Sequence, residues 1–135
     1  MSKRILIAED EESIVASLEF LMRRCGYEIR VARDGDAAVA ALREFLPHVV
    51  LLDIMLPGRS GFEVCRALRA DPGLRGARVV MLTAKGGVHD ISRGLSAGAD
   101  DYITKPFSTQ DLVARVQGLL DDPIPGSAIP EELQP

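Results

Sequence analysis

The sequence predicts an α/β protein: a doubly wound, five-stranded parallel sheet with helices on both faces. Three observations carry that expectation. Short unbroken apolar runs recur along the chain, as strands do when both of their faces are covered. Between them lie stretches whose apolar residues repeat at helical spacing. The joins are short and punctuated by Gly, Pro, Asp and Ser, so strands and helices alternate and right-handed crossovers place helices over each side of the sheet.

The elements follow in order. Arg4-Ile5-Leu6-Ile7-Ala8 is the first strand, and it stops at the acids Glu9 and Asp10. Ile14, Val15, Leu18, Leu21, Met22 and Cys25 then form the apolar stripe of a helix that Gly26 ends. Residues 28–32 read as the second strand, and residues 36–45 as a helix burying Ala38, Ala41, Leu42 and Phe45, halted before Pro47. Val49-Val50-Leu51-Leu52 is the most apolar strand, with Asp53 at its end. After the turn Pro57-Gly58-Arg59-Ser60-Gly61 comes a helix carrying Phe62, Cys65 and Leu68, then the loop Asp71-Pro72-Gly73. Val79-Val80-Met81-Leu82 is the fourth strand; a short helix runs from about residue 89 to 97, and Tyr102-Ile103-Thr104 is a brief fifth strand. The last helix begins after Ser108, an N-cap residue, and shows Leu112, Val113, Val116, Leu119 and Leu120. This count suits the flavodoxin-like strand order 2-1-3-4-5, which opens a ligand crevice between strands one and three.

Composition narrows the function classes. A chain of 135 residues, 47% hydrophobic and 27% charged, suits one globular domain, and no apolar run approaches the roughly 20 residues that span a bilayer. The first apolar stretch is also too short for a signal-peptide core, so no membrane association is expected and the expected compartment is the cytoplasm. Two cysteines 40 positions apart, with no CxxC and no histidine at ligand spacing, argue against a zinc site or a structural disulfide. The net charge of −4 lies in the last 15 residues, which hold Asp121, Asp122, Glu131 and Glu132 and no Lys or Arg; residues 1–120 carry 16 charges of each sign. Four of the eight prolines share that segment. The expected organisation is a domain over 1–120 and an acidic, Pro-rich linker or disordered tail over 121–135. The charge balance and the lack of aromatics among the basic residues give no sign of nucleic-acid contact. Arg23, Arg24, Arg66 and Arg69 read as solvated helix faces, and His48 and His89 as surface or loop residues.

In a sheet of this kind, functional groups belong just past the carboxyl ends of the strands. Those ends deliver Glu9 and Asp10, then Asp53, Thr83, and Thr104 with Lys105, the last followed by Pro106. Three acids brought together repel one another unless a cation sits among them, and Mg²⁺, which takes one or two carboxylates plus water and phosphate oxygens, suits the set. An ammonium and a hydroxyl suit the charge of a transferring phosphoryl group, with Asp53 as the nucleophile.

The segments Glu9-Asp10-Glu11-Glu12, Leu51-Leu52-Asp53-Ile54-Met55-Leu56-Pro57-Gly58, Leu82-Thr83-Ala84-Lys85 and Gly98-Ala99-Asp100-Asp101-Tyr102-Ile103-Thr104-Lys105-Pro106-Phe107 resemble those of receiver domains of two-component response regulators. The resemblance spans about residues 3–120. It implies that a sensor histidine kinase or phosphotransfer protein donates a phosphoryl group to Asp53. It implies further that Glu9, Asp10, Asp53 and the Met55 backbone carbonyl hold Mg²⁺, that Lys105 pairs with the phosphoryl group, and that Thr83 hydrogen-bonds it. Thr83 and Tyr102 would form the switch, and the Lys105-Pro106 peptide would be cis. Glu9 stands where many relatives have Asp, and Ser60 where an acid is frequent.

The stretch from Arg93 to Arg115 resembles the receivers that precede winged-helix DNA-binding domains and dimerise through helix four, strand five and helix five. By that resemblance Arg93, Asp100, Asp101, Asp111 and Arg115 would pair across a phosphorylation-dependent homodimer; the alternative is a set of exposed charges within one subunit. The expected role is a signalling switch and not an enzyme, catalysing only its own phosphorylation and dephosphorylation. Two other readings compete. A phosphorylation-independent binding module would be expected to have lost Lys105, Thr83 or a first-loop acid. An aspartyl phosphatase would need a second acid soon after Asp53, where Ile-Met-Leu-Pro-Gly stands.

Overall fold

The computed structural model describes residues 2–84 and 88–121, with the side chains of 88–90 left aside. Lys85, the His89 side chain and the expected tail from 122 onward therefore lie outside the described residues. Ten elements alternate strictly: β1 (Arg4–Ala8), α1 (Glu12–Arg24), β2 (Glu28–Ala32), α2 (Gly35–Phe45), β3 (Val49–Asp53), α3 (Gly61–Ala70), β4 (Arg78–Ala84), α4 (Val88–Ser96), β5 (Asp101–Lys105) and α5 (Thr109–Asp121). The sheet is parallel throughout and runs β2-β1-β3-β4-β5, the predicted order.

Alternation along each strand divides the core into two halves. Ile5, Ile7, Val49, Leu51, Val80 and Leu82 face Leu18 and Met22 of α1 and Leu112 and Val116 of α5. Leu6, Val50, Leu52, Val79 and Met81 face Ala38, Ala41 and Leu42 of α2 and Phe62, Cys65 and Leu68 of α3. All five residues of β3 are buried, which explains why its sequence shows no polar alternation.

The helix ends are set locally. Gly26 follows α1 at φ 88°, and Leu46 ends α2 in the left-handed region at φ 52° with its N–H on the Leu42 carbonyl. Asp34 caps α2 by accepting the Ala37 N–H at 2.7 Å. Ser60 and Glu63 form a reciprocal capping box at the start of α3. Strands four and five extend beyond their apolar runs to include Thr83 and Lys105, because ladder pairing continues there from Thr83 to Thr104 and from Ala84 to Lys105.

Arg69 departs from its expected place on a solvated face. Its guanidinium donates to the carbonyls of Gly98 at 2.8 Å, Arg75 at 2.9 Å and Ala77 at 2.7 Å, and to the Asp100 carboxylate at 2.6 Å. It ties α3 to the α3–β4 loop and to the turn between α4 and β5. His48 lies between β1 and β3, its Nδ1 accepting the Arg4 N–H at 2.9 Å.

Candidate functional site

The carboxyl edge of the sheet gathers the acids. Glu9 directly follows β1 and is 1% exposed. Its Oε2 accepts the N–H groups of Asp10 and Glu11, each at 3.1 Å, and its Oε1 accepts from Lys105 Nζ at 2.6 Å. Asp53, the last residue of β3, is 5% exposed; its Oδ1 accepts the Met55 N–H at 3.1 Å and lies 3.2 Å from Lys105 Nζ. Lys105, the last residue of β5, thus stands between two buried carboxylates. Glu9, Asp10 and Asp53 each offer an oxygen within 4.8 Å of the others. Three clustered acids with a single ammonium on two of them leave an excess of negative charge, and an all-oxygen donor set of this kind fits a hard divalent cation.

The electrostatics follow from burial. Glu9 is so enclosed that desolvation raises its pKa despite the Lys105 hydrogen bond and the Glu11 N–H, and the nearby Asp53 charge adds to the rise. For Lys105, burial works to lower the pKa but is outweighed by the hydrogen bond to Glu9 and the charges of Asp53 and Glu9, so the ammonium is held charged.

Thr83 lies one position beyond the residue that pairs with Asp53, since Leu82 is the register partner of Asp53. It is buried, and among the described residues its hydroxyl oxygen has no hydrogen-bond partner. An orphaned buried hydroxyl beside a phosphoacceptor candidate is a group awaiting a polar contact. Met55 follows in the turn with its side chain exposed and its N–H on Asp53. The Lys105-Pro106 peptide is cis, as the resemblance implied. Tyr102, on edge strand β5, is 36% exposed, so its ring lies toward solvent while the Thr83 hydroxyl is inside.

The five charges expected at an interface are all engaged within the chain. Arg93 stacks its guanidinium 4.2 Å from the Phe62 ring centre. Asp100 is held by Arg69, by Arg78 at 3.5 Å and by the Val79 N–H at 2.8 Å. Arg115 bonds Asp101 at 2.7 Å and Asp111 at 3.1 Å, and donates to the Tyr102 carbonyl. Sequence reasoning passed over the Ser60 capping box, whose Ser-x-x-Glu spacing was readable, and Arg69, for which no local signal existed.

An acid-lined crevice at the switch point of a 2-1-3-4-5 sheet, entered by a lysine from the last strand, defines a receiver-type signalling module. The chain belongs to the response regulator receiver domain family, whose model matches residues 5–117. The DNA-binding response regulator MtrA of Mycobacterium tuberculosis strain H37Rv is 48% identical over 120 residues, covering 89% of this chain and 51% of that protein. MtrA of Mycobacterium leprae strain TN is also 48% identical, with 52% of it covered. The chain spans about half the length of these curated relatives. Among solved structures, the receiver domain of sensor histidine kinase PA1611 from Pseudomonas aeruginosa, with a magnesium ion coordinated in its active site cleft, superposes at a TM-score of 0.82. It has 29% identity, covering 89% of this chain and 98% of that one. A CheY-like response regulator receiver domain protein from Methanospirillum hungatei gives a TM-score of 0.82 at 31% identity, covering 91% and 97%. The chain is therefore a signalling domain of two-component systems, and among the described residues no helix is long and apolar enough to cross a membrane.

Proposed function

We propose that Asp53 is the phosphoacceptor of a cytoplasmic switch, taking a phosphoryl group from the phosphohistidine of a sensor histidine kinase or phosphotransfer protein. The observation that carries this reading is the pairing of Lys105 with both Asp53 and Glu9, together with a buried Thr83 hydroxyl that has no partner among the described residues. An Asp53 carboxylate oxygen attacks phosphorus, the phosphorus–nitrogen bond breaks, and the imidazole leaves with that electron pair. Lys105 would move from Glu9 toward the new phosphoryl oxygens, and Thr83 would donate its hydroxyl to one of them. Asp10, Asp53, Glu9 and the Met55 carbonyl are the groups that would hold Mg²⁺, which when bound neutralises charge on the phosphoryl oxygens. The domain's catalysis is confined to its own phosphorylation and dephosphorylation.

Once Thr83 turns to the phosphoryl group, space opens behind it for the Tyr102 ring, and the α4-β5-α5 face changes shape. Exposed Leu95 and Tyr102 on that face support a phosphorylation-dependent homodimer, in which Arg93, Asp101, Asp111 and Arg115 exchange present partners for partners in a second subunit. Asp100 is the least free of the five, being held by Arg69 and Arg78. By likeness to the DNA-binding relatives, the switch would govern a transcriptional output.

The test is incubation with labelled acetyl phosphate and Mg²⁺, following both incorporated label and solution mass. Wild type should take up one base-labile, hydroxylamine-labile phosphoryl group and gain mass toward a dimer, and Asp53→Asn should do neither. Equal labelling of Asp53→Asn would overturn the assignment.

A further inference from the structure

The turn from Asp53 to α3 has to hold the phosphoacceptor and the Met55 backbone in register. Its two ends are fixed by the neighbouring strand β4 and by hydrogen bonds within the turn. The Ile54 N–H donates to the Leu82 carbonyl at 3.3 Å, the Met55 N–H to Asp53, and the Gly61 N–H to the Ile54 carbonyl at 2.9 Å. The middle is fixed by a different element. Gly35, the first residue of α2, donates its N–H to the Pro57 carbonyl at 2.8 Å, and Asp36 beside it accepts from Arg59 Nε at 2.9 Å. The start of a helix carries N–H groups with no partner inside the helix, and here one of them is spent on this turn.

The approach is too close for any side chain at position 35. A Cβ there would lie 2.2 Å from the Arg59 carbonyl oxygen, 2.4 Å from Arg59 Cβ and 2.6 Å from the Arg59 nitrogen. Two of these three are backbone atoms, so the turn itself would have to shift. Gly35 is not among the glycines at positive φ, so what the position demands is space rather than an unusual backbone angle. Gly61 closes the other end in the same way, its absent Cβ leaving room for the Asp53 carbonyl at 2.5 Å.

We infer that Gly35, seconded by the Asp36–Arg59 pair, is a positioning residue for the divalent-cation site: it clamps the β3–α3 turn so that Asp53 and the Met55 carbonyl present their oxygens together. The inference rests on the reading of Glu9, Asp10, Asp53 and the Met55 carbonyl as the Mg²⁺ set. It makes the start of α2, which holds none of the metal-binding acids, part of what sets metal affinity.

The experiment measures Mg²⁺ binding by calorimetry, and phosphoryl uptake from acetyl phosphate as a function of Mg²⁺ concentration. It compares wild type, Gly35→Ala, Arg59→Ala and, as a control, Gly118→Ala, where a Cβ meets nothing within 4 Å. Gly35→Ala should weaken Mg²⁺ binding about tenfold, the scale on which residues behind metal ligands act. Its uptake rate should reach the wild-type value at saturating Mg²⁺, a split that general loss of structure would not produce. Arg59→Ala should shift binding the same way by about twofold, as befits an exposed pair, and Gly118→Ala should match wild type. A folded Gly35→Ala with wild-type Mg²⁺ affinity overturns the inference. If Gly35→Ala does not fold, unchanged affinity in Arg59→Ala overturns it. A wild type that binds no Mg²⁺ overturns the metal-site reading itself, and the clamp with it.

Discussion

Removing the Arg69 guanidinium by Arg69→Ala tests how the α4–β5 turn is held. Four acceptors lose a donor: three backbone carbonyls and the Asp100 carboxylate. A hydrogen bond involving a charged group contributes about 1.5–3 kcal/mol, so four would sum to about 6–12 kcal/mol if all were fully buried. They are not. Arg69 keeps 24% of its side-chain surface exposed, the bond to Arg75 is at the surface, and Asp100 retains Arg78 and the Val79 N–H. Water can reach some of the freed carbonyls, so the expected loss is about 2–3 kcal/mol, or roughly 10 °C in Tm for a domain of this size. Urea unfolding followed by circular dichroism reads it as a lowered midpoint at unchanged slope. Arg69→Lys keeps the charge but not the fork that reaches several acceptors at once, and should recover less than half of the loss. A loss below about 0.5 kcal/mol for Arg69→Ala, or full recovery by lysine, would refute the argument that this guanidinium joins α3 to the turn before β5.

Two further outcomes follow from buried groups. Burial, with Arg4 and Lys3 nearby, lowers the His48 pKa below its ordinary 6.5, so the folded chain binds fewer protons there than the unfolded one. Its contribution is present above that ordinary value and is lost as pH falls through the lowered one; between about pH 7.5 and about 5.5, wild type should lose more stability than His48→Gln, and equal losses would count against it. Burial also pushes the Cys65 thiol up to about 11, with its sulfur on the Ala97 carbonyl, whereas Cys25 is only half-buried. At about pH 8 a chromogenic disulfide reagent should titrate one thiol in the folded protein and the second only on unfolding; two fast thiols would contradict the packing of α3 on the sheet.

The strands were legible because a parallel sheet buried on both faces writes itself as unbroken apolar runs, as Val49 to Leu52 does. The acids and Lys105 were legible because such a sheet presents its chemistry at strand ends, and four motifs fell there in order. The geometry that joins them was not. Lys105 and Glu9 are 96 positions apart, and nothing local says that Glu9 would spend one oxygen on backbone N–H groups and the other on the ammonium. Arg69 sits beside the apolar stripe of α3 and looks solvated by periodicity; its partner Gly98 is 29 positions away. Gly35 reads as an ordinary residue near a helix start, because the constraint on it is a clash with Arg59 that only the folded chain creates. Ser60 is legible by its spacing from Glu63, which is that of a capping box.

The five-stranded sheet ends on two open borders, β2 and β5, and each border could in principle recruit a strand from another molecule. On β2, Glu28 and Arg30 are exposed along the strand. On β5, the Tyr102 carbonyl that an incoming strand would need is already bonded to the Arg115 guanidinium, which Asp101 and Asp111 hold in place. The ion pairs of the α5–β5 seam thus occupy one main-chain acceptor on that border. A substitution of Arg115 would be expected to show itself first as loss of solubility at high concentration, through strand addition at β5, before any change in the fold.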